Sequence, residues 1–283
     1  MTAGPTFDLT AMNCSHRFYD LEEFFSSVAE SGYRTVEIWT GPMHFFMDYA
    51  GHDSVRRLSE MERRYGIKVI GICPEQTNPK PNNIASRDDG AKERTYRYFC
   101  NAIDVACEVD ANQVVVTSGW GYLNESVKAA YERSLAMLSR IAAYAERSEM
   151  TLALEALQPE ETNLPSHTAT ELARIIARVG SPALKACIDT GAMWRAGETV
   201  ATYFGVLGGD VVHAHFVDAG KYSHVAWGDG TRDMTQDLHE FARAGYKGYL
   251  SVEVVSDEYF ADPAAADRRS MERYQSALKE ILS

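Results

Sequence analysis

No stretch of this sequence approaches the roughly 20 consecutive apolar residues that cross a bilayer. Its first residues, Met1 to Asp8, lack the basic start and apolar core of a secretory signal. A cytoplasmic location is therefore expected. Positive charge is scarce as well: 28 Lys and Arg against 40 Asp and Glu leave a net charge of −12, and the cations are scattered. Recognition of a phosphate backbone needs a clustered basic face, so nucleic acid is not an expected partner. No basic amphipathic stretch suggests a membrane surface either. Cysteine is sparse and odd in number (Cys14, Cys73, Cys100, Cys107, Cys187), with no CxxC pair. That pattern excludes a disulfide framework and a thiolate zinc site, and it fits reduced, mostly buried thiols. Low-complexity linkers are missing too, so residues 1–283 read as one domain.

What the chain does have is alternation. Short, β-branched apolar runs occur at Phe7–Met12, Thr35–Trp39, Lys68–Cys73, Gln113–Thr117, Thr151–Glu155, Leu184–Asp189, Val211–Val217 and Leu250–Val254. Consecutive apolar positions of this kind suit strands buried on both faces. Between them, apolar residues recur at three and four spacing in Leu21–Ser31, Asp53–Tyr65, Gly90–Val109, Glu125–Ser148, Thr168–Val179, Val200–Leu207 and Met234–Ala244, with a final helix at Pro263–Leu282. Gly32, Gly66 and Gly245 follow helix patterns and precede strands, where a left-handed residue releases the chain. Eight βα units predict a parallel sheet closed into a (β/α)8 TIM barrel, which commonly takes about 250 residues. An open, doubly wound sheet is the rival. The Pro- and Asn-rich connection Pro74–Asp89 is long for a βα loop, and such loops often cover a site.

In a parallel barrel the functional side chains stand at the C-terminal strand ends. Glu155 closes the fifth run, Asp189 the sixth, and Glu253 sits near the end of the eighth; the seventh carries His213 and His215. One carboxylate there has an ordinary explanation as a helix cap. Four such groups on four consecutive strands do not, because buried carboxylates repel unless something positive lies between them. A divalent cation meets that need. Three carboxylates and one imidazole suit Mn²⁺ or Mg²⁺ and also admit Co²⁺, Fe²⁺ or Zn²⁺. His213 and His215 point to the same side of their strand; His215 is nearer the C-terminal end and is the better ligand, with His213 a supporting or packing residue. Trp39, His44, Glu75 and Trp120 follow strands two, three and four and are expected at the pocket wall. A tryptophan face suits the C–H side of a sugar. His16 and His224 are weaker candidates.

At these residues the chain resembles the xylose-isomerase-like barrels, and within them the sugar 3-epimerases of the tagatose, psicose and fructoselysine type. The matching stretches are Leu-Glu155-Ala-Leu-Gln-Pro-Glu-Glu161, Ile-Asp189-Thr-Gly, His213-Ala-His215-Phe-Val-Asp218, Gly228-Asp-Gly230 and Val-Glu253-Val. Earlier ones are Gly32-Tyr33, Val-Glu37-Ile-Trp39, Gly41, His44, Ile70-Gly71 and Pro74-Glu75. The resemblance implies a divalent-metal site at Glu155, Asp189, His215 and Glu253, with proton transfer by Glu155 and Glu253 through a metal-stabilised enediolate. It implies a substrate contact at Glu161. Two positions depart: Ala192 stands where the tagatose-type enzymes have a histidine, and Lys221 where they have an arginine. Lysine lacks the planar bidentate fork, so these two departures leave the substrate's identity open and weaken the expectation of a simple free ketohexose.

The same barrel resembles the catalytic subunits of lyases that cleave 3-oxo-C-glycosides, which work with a small partner subunit; the epimerase reading implies a homo-oligomer instead. A related DNA-repair endonuclease needs more metal ligands and a basic face, which the charge of −12 opposes. A non-catalytic sugar-binding protein does not need the complete ligand set.

Overall fold

A computed structural model describes residues 7–76, 80–161 and 165–282. Eight parallel strands close in sequence order: β1 (Asp8–Met12), β2 (Thr35–Trp39), β3 (Lys68–Cys73), β4 (Gln113–Thr117), β5 (Thr151–Glu155), β6 (Leu184–Asp189), β7 (Val211–His215) and β8 (Tyr249–Val252). Pairing of β8 with β1, from Asp8↔Tyr249 to Ala11↔Val252, closes the barrel and removes the open-sheet alternative. The seventh strand stops two residues earlier than its apolar run suggests. Asp218 pairs instead with Val225 of its own loop, in a small antiparallel bridge.

The helices are α1 (Leu21–Glu30), α2 (Arg56–Tyr65), α3 (Asp89–Glu108), α4 (Val127–Arg147), α5 (Ala169–Val179), α6 (Thr190–Arg195), α7 (Val200–Leu207), α8 (Met234–Arg243) and α9 (Pro263–Leu282). Side chains of Asp20, Asp88, Ser126 and Thr168 accept from the backbone N–H three residues on, satisfying donors that helix starts leave open. Gly32, Gly66 and Gly245 take φ of 92°, 66° and 70°, the left-handed values their positions predict. Helix α6 is new: six residues carry too little periodicity to be read from sequence. No helix among the described residues is long and apolar enough to cross a membrane.

Strand pleating sorts the side chains into two sets. One parity (Leu9, Val36, Ile38, Val114, Val116, Leu152, Leu154, Ile188, Leu250) packs outward under the helices. The other points into the barrel, where Met12, Cys14, Cys73, Val115, Ala153 and Cys187 form a small inner cluster with Trp39 against it. All five cysteines are free thiols. Burial pushes the Cys14, Cys73 and Cys187 thiols well above their ordinary range, which leaves them inert. Two residues beyond Ala153 and Cys187 on the same inner parity come Glu155 and Asp189. His215 follows His213 likewise, and Glu253 follows Ser251.

Candidate metal centre

The inner parity delivers four donors to the C-terminal mouth. His215 Nδ1 lies 2.5 Å from Glu155 Oε1 and 3.1 Å from Glu253 Oε2. Asp189 joins through His224, whose Nε2 is 2.9 Å from Asp189 Oδ2 and 3.5 Å from Glu253 Oε2. Two donor triads result, Glu155–His215–Glu253 and Asp189–His224–Glu253, each with its ligand atoms within 4.8 Å of one another. Glu253 belongs to both, so the four sequence-derived donors form one connected cluster.

The hydrogen-bond accounting at this cluster fits a cation. Glu155 Oε1 and both ring nitrogens of His215 are buried and have no hydrogen-bond partner. The 2.5 Å contact between Glu155 and His215 thus brings two polar atoms together without the angles of a hydrogen bond. Buried polar atoms left in this state cost about 1–3 kcal/mol each. A divalent ion accepting both lone pairs removes that cost. The donor chemistry, carboxylates plus an imidazole, suits hard or borderline cations.

Beneath the donors lies a support absent from the sequence-derived set. Glu37, fully buried on β2, receives His213 at 2.7 Å and faces His215 Nε2 across 3.6 Å. Gln113 Nε2 donates to His213 Nδ1 at 3.1 Å. An amide N–H can only donate, so the proton of His213 sits on Nε2 and is given to Glu37. Glu37 Oε1 stands behind the His215 ring on its Nε2 side, opposite the Nδ1 that faces Glu155 and Glu253, at a separation longer than a hydrogen bond. Burial alone would raise the Glu37 carboxyl; His213 and His215 outweigh it and hold it well below the usual range. The pairing register shifts between Val36 and Glu37. A charged residue inside Thr-Val-Glu37-Ile-Trp was the available signal.

His224 was only a weak expectation, yet it is nine-tenths buried at the cluster. It sits on the β7–α8 loop with φ of 58°, a left-handed value that non-glycine residues rarely adopt. The loop is latched by Asp218, whose buried carboxylate accepts from the backbone of Ala219 (2.8 Å), Gly228, Gly230 and Arg232 (each 3.0 Å). Asp189 Oδ1 accepts from Gly191 and Ala192 at the start of α6, leaving Oδ2 for the cluster.

Protonation follows from the crowding. Burial pushes Glu155 up to about 7, with His215 offsetting only part of it. Against the effect of burial, Glu155 and Glu253 raise His215 well above its ordinary value, and Asp189 does the same for His224. Those imidazoles hold the Glu253 carboxyl far below the usual range although burial opposes it. Burial also lifts the half-buried Glu161 to about 7, against the charge of His224.

A cavity of about 320 Å³ opens onto this cluster, with Glu155, Glu253, Trp39, Arg17 and Glu75 in its wall. The Trp39 ring occupies the space in which a side chain at Gly41 would stand, about 2.0 Å from where that Cβ would lie. The long β3–α3 connection contributes Pro74, Glu75, Gln76 and Lys80, as its length suggests. Residues 77–79 of that loop lie outside the described residues.

Residues 25–277 match the family model described as xylose isomerase-like TIM barrel. The chain belongs to that family. The fructoselysine 3-epimerase of Shigella flexneri is 30% identical over 270 residues, spanning 94% of this chain and 96% of the relative. The corresponding protein of Escherichia coli O157:H7 matches equally, over 94% and 97%. Among solved structures, a D-tagatose 3-epimerase-like protein superposes with a TM-score of 0.80 at 20% identity, covering 98% of this chain and 100% of the other. An L-ribulose 3-epimerase gives 0.80 at 20%, covering 98% and 96%. At that identity the two structures speak for the fold.

Within this xylose isomerase-like barrel, two expected wall residues, His44 and Trp120, and the substrate-contact candidate Lys221 stand away from the carboxylate cavity. His44 is buried with both nitrogens engaged: Asn13 Nδ2 donates to Nδ1 at 2.8 Å, and Nε2 donates to the Tyr19 carbonyl at 2.9 Å. It ties the β1–α1 and β2–α2 loops together and leaves no atom for a ligand. Trp120 is outside the wall of the carboxylate cavity; Asn83 holds its backbone, and its ring packs on Tyr122. Lys221 is exposed over the Tyr222 ring and lines a separate, larger cavity of about 530 Å³ with Gln158, Arg195 and Glu258. The β7–α8 loop carries it outward, and His224 takes the inner position. His16 pairs with Asp267 at 2.7 Å and is a packing residue.

Proposed function

We propose that this protein is a divalent-metal-dependent sugar epimerase that inverts the carbon beside the carbonyl of a ketose or ketose derivative. The observation that carries the reading is the pair of donor triads that share Glu253, Glu155–His215–Glu253 and Asp189–His224–Glu253, with buried polar atoms on Glu155 and His215 that have no hydrogen-bond partner. The fructoselysine 3-epimerase relatives, similar along nearly the whole chain, support the same chemistry.

Glu155, Asp189, His215 and Glu253 would hold the ion, Mn²⁺ by preference of the donor set. When bound, the cation supplies polarisation of the carbonyl and offsets the negative charge that proton loss leaves on the sugar. The chain's own residues do the rest. Glu155 and Glu253 are the two carboxylates of the donor set that also stand in the cavity wall. One removes the proton from the carbon and the other returns a proton to the opposite face. General acid–base exchange requires one member of such a pair to take a proton while the other gives one. Glu37 and His213 stand behind the His215 ring. Trp39 offers a face to the C–H side of the sugar, and Glu161 binds a hydroxyl.

The reading is tested by stripping the purified protein with a chelator and restoring Mn²⁺. Epimerisation of a ketose should vanish and return. With Glu253→Gln it should stay absent although the variant melts as wild type does. Turnover that survives chelation, or that Glu253→Gln leaves intact, overturns it.

A further inference from the structure

The cavity wall contains a cation for which the epimerisation itself has no use. Arg17 lies between two aromatic faces, its guanidinium 5.0 Å from the Trp39 ring centroid and 4.8 Å from that of Phe260. Its Nε donates to the Cys14 carbonyl at 2.8 Å. No carboxylate pairs with it among the described residues. The side chain is only partly exposed and borders the same cavity as Glu155 and Glu253. Phe260 is itself braced by Phe18 at 5.1 Å, and Tyr19 Oη donates to the Ala261 carbonyl, so the Arg17 loop is docked on the segment after β8.

A chain with 40 acidic residues and 28 Lys and Arg has abundant carboxylates to pair with a surface arginine. Several arginines do pair in this way: Arg64 with Glu22, Arg133 with Glu125, Arg232 with Asp237. Arg17 instead lies over two rings and makes one hydrogen bond through Nε, and its terminal nitrogens have no hydrogen bond among the described residues. This is the geometry in which a guanidinium presents its planar fork to a carboxylate or a phosphate. Lys80 at the same wall is paired with Glu75 at 3.5 Å, which leaves Arg17 as the cation there without a carboxylate partner among the described residues. A neutral sugar gains little from a charge placed this way, whereas a tethered anion gains a charge-assisted contact in a partly desolvated setting.

We propose that Arg17 forms an anion subsite beside the epimerisation centre and that the preferred substrate is a ketose carrying a carboxylate or phosphate group. The proposal rests on the epimerase reading above for the ketose half of the ligand. It accounts for specificity on this barrel wall rather than at Lys221, which faces a different cavity.

Binding of three probes to Mn²⁺-loaded protein tests it by calorimetry, independently of turnover: D-fructose, D-fructose 6-phosphate and fructoselysine. At least one charged probe should bind about 10- to 100-fold more tightly than fructose. Arg17→Gln should remove that preference, while Arg17→Lys retains part of it. Melting curves of both variants report folding. Stronger binding of fructoselysine identifies a carboxylate as the anion; stronger binding of the 6-phosphate identifies a phosphate. Fructose binding as tightly as both charged probes, or a charged preference that survives Arg17→Gln in a folded variant, overturns the proposal. Failure of the epimerase reading shows itself separately, as turnover indifferent to chelation.

Discussion

Replacing Glu37 by Gln removes one buried charge at almost constant volume, and its consequence can be followed atom by atom. The Gln carbonyl must take the Nε2 proton of His213, because Gln113 already donates to Nδ1 of that ring. The new NH₂ then faces His215 Nε2, where Glu37 Oε1 stood at 3.6 Å. On closing to hydrogen-bond distance this NH₂ can only donate, so Nε2 of His215 becomes the acceptor and its ring proton moves to Nδ1. That is the nitrogen beside Glu155 and Glu253, and a protonated nitrogen cannot ligate. Loss of such a carboxylate behind a ligand histidine weakens metal binding about 10- to 100-fold, or about 1.4–2.8 kcal/mol. Titration of the stripped protein with Mn²⁺, by calorimetry or by the spin-resonance signal of free ion, reads this directly. Circular dichroism checks that the barrel survives. Wild-type affinity in a folded Glu37→Gln protein would refute the tautomer reasoning.

Three further outcomes are expected. Metal uptake should release protons below pH 7, since Glu155, His215 and His224 all hold protons more tightly in the empty cluster than a cation allows; affinity should therefore rise with pH, and a pH-independent affinity between 6 and 8 contradicts this. The metal-free protein should melt lower at pH 8 than at pH 6. Raised carboxyls at Glu155 and Glu161 contribute stability that is complete below their unfolded values, near 4.3, and lost as pH climbs through about 7. The raised imidazoles of His215 and His224 act in the same direction, and saturating Mn²⁺ should flatten the trend. Asp218→Ala should cost about 3 kcal/mol in chemical unfolding, because four backbone N–H groups lose one buried acceptor; a loss under about 0.5 kcal/mol would show that the latch is dispensable.

The barrel was legible because its signal is repetitive. Eight apolar runs with helical patterns between them leave little freedom, and acidic ends such as Leu-Ala-Leu-Glu155 and Ala-Cys-Ile-Asp189 mark the mouth. The parity argument carried these donors inward because strand period is fixed by the pleat. Glu37 escaped although its anomaly is visible in Thr-Val-Glu37-Ile-Trp: its role depends on which distant strand faces it across the barrel, and no local period encodes that. The relative placement of His224 and Lys221 is not legible in the sequence for a different reason. They sit three residues apart on one irregular loop, where spacing says nothing about direction until the Asp218 latch fixes the path. His44 was drawn toward the pocket by its position after a strand, but its Asn13 and Tyr19 partners turn it into the packing between loops. Arg17 lies on the β1–α1 connection, and its surroundings depend on Trp39 and Phe260, which are close only after the barrel closes.

The central claim is exchange of a carbon-bound proton by a metal-loaded carboxylate pair. Incubation of the Mn²⁺-loaded protein with fructoselysine and with free ketoses in D₂O, read by proton NMR, addresses it most directly. Deuterium should enter at C3 together with the 3-epimer, and a chelator should suppress both. Absence of C3 exchange with every ketose and ketosamine, alongside cleavage of a 3-oxo-glycoside, would contradict the account and assign the same carboxylates to a lyase.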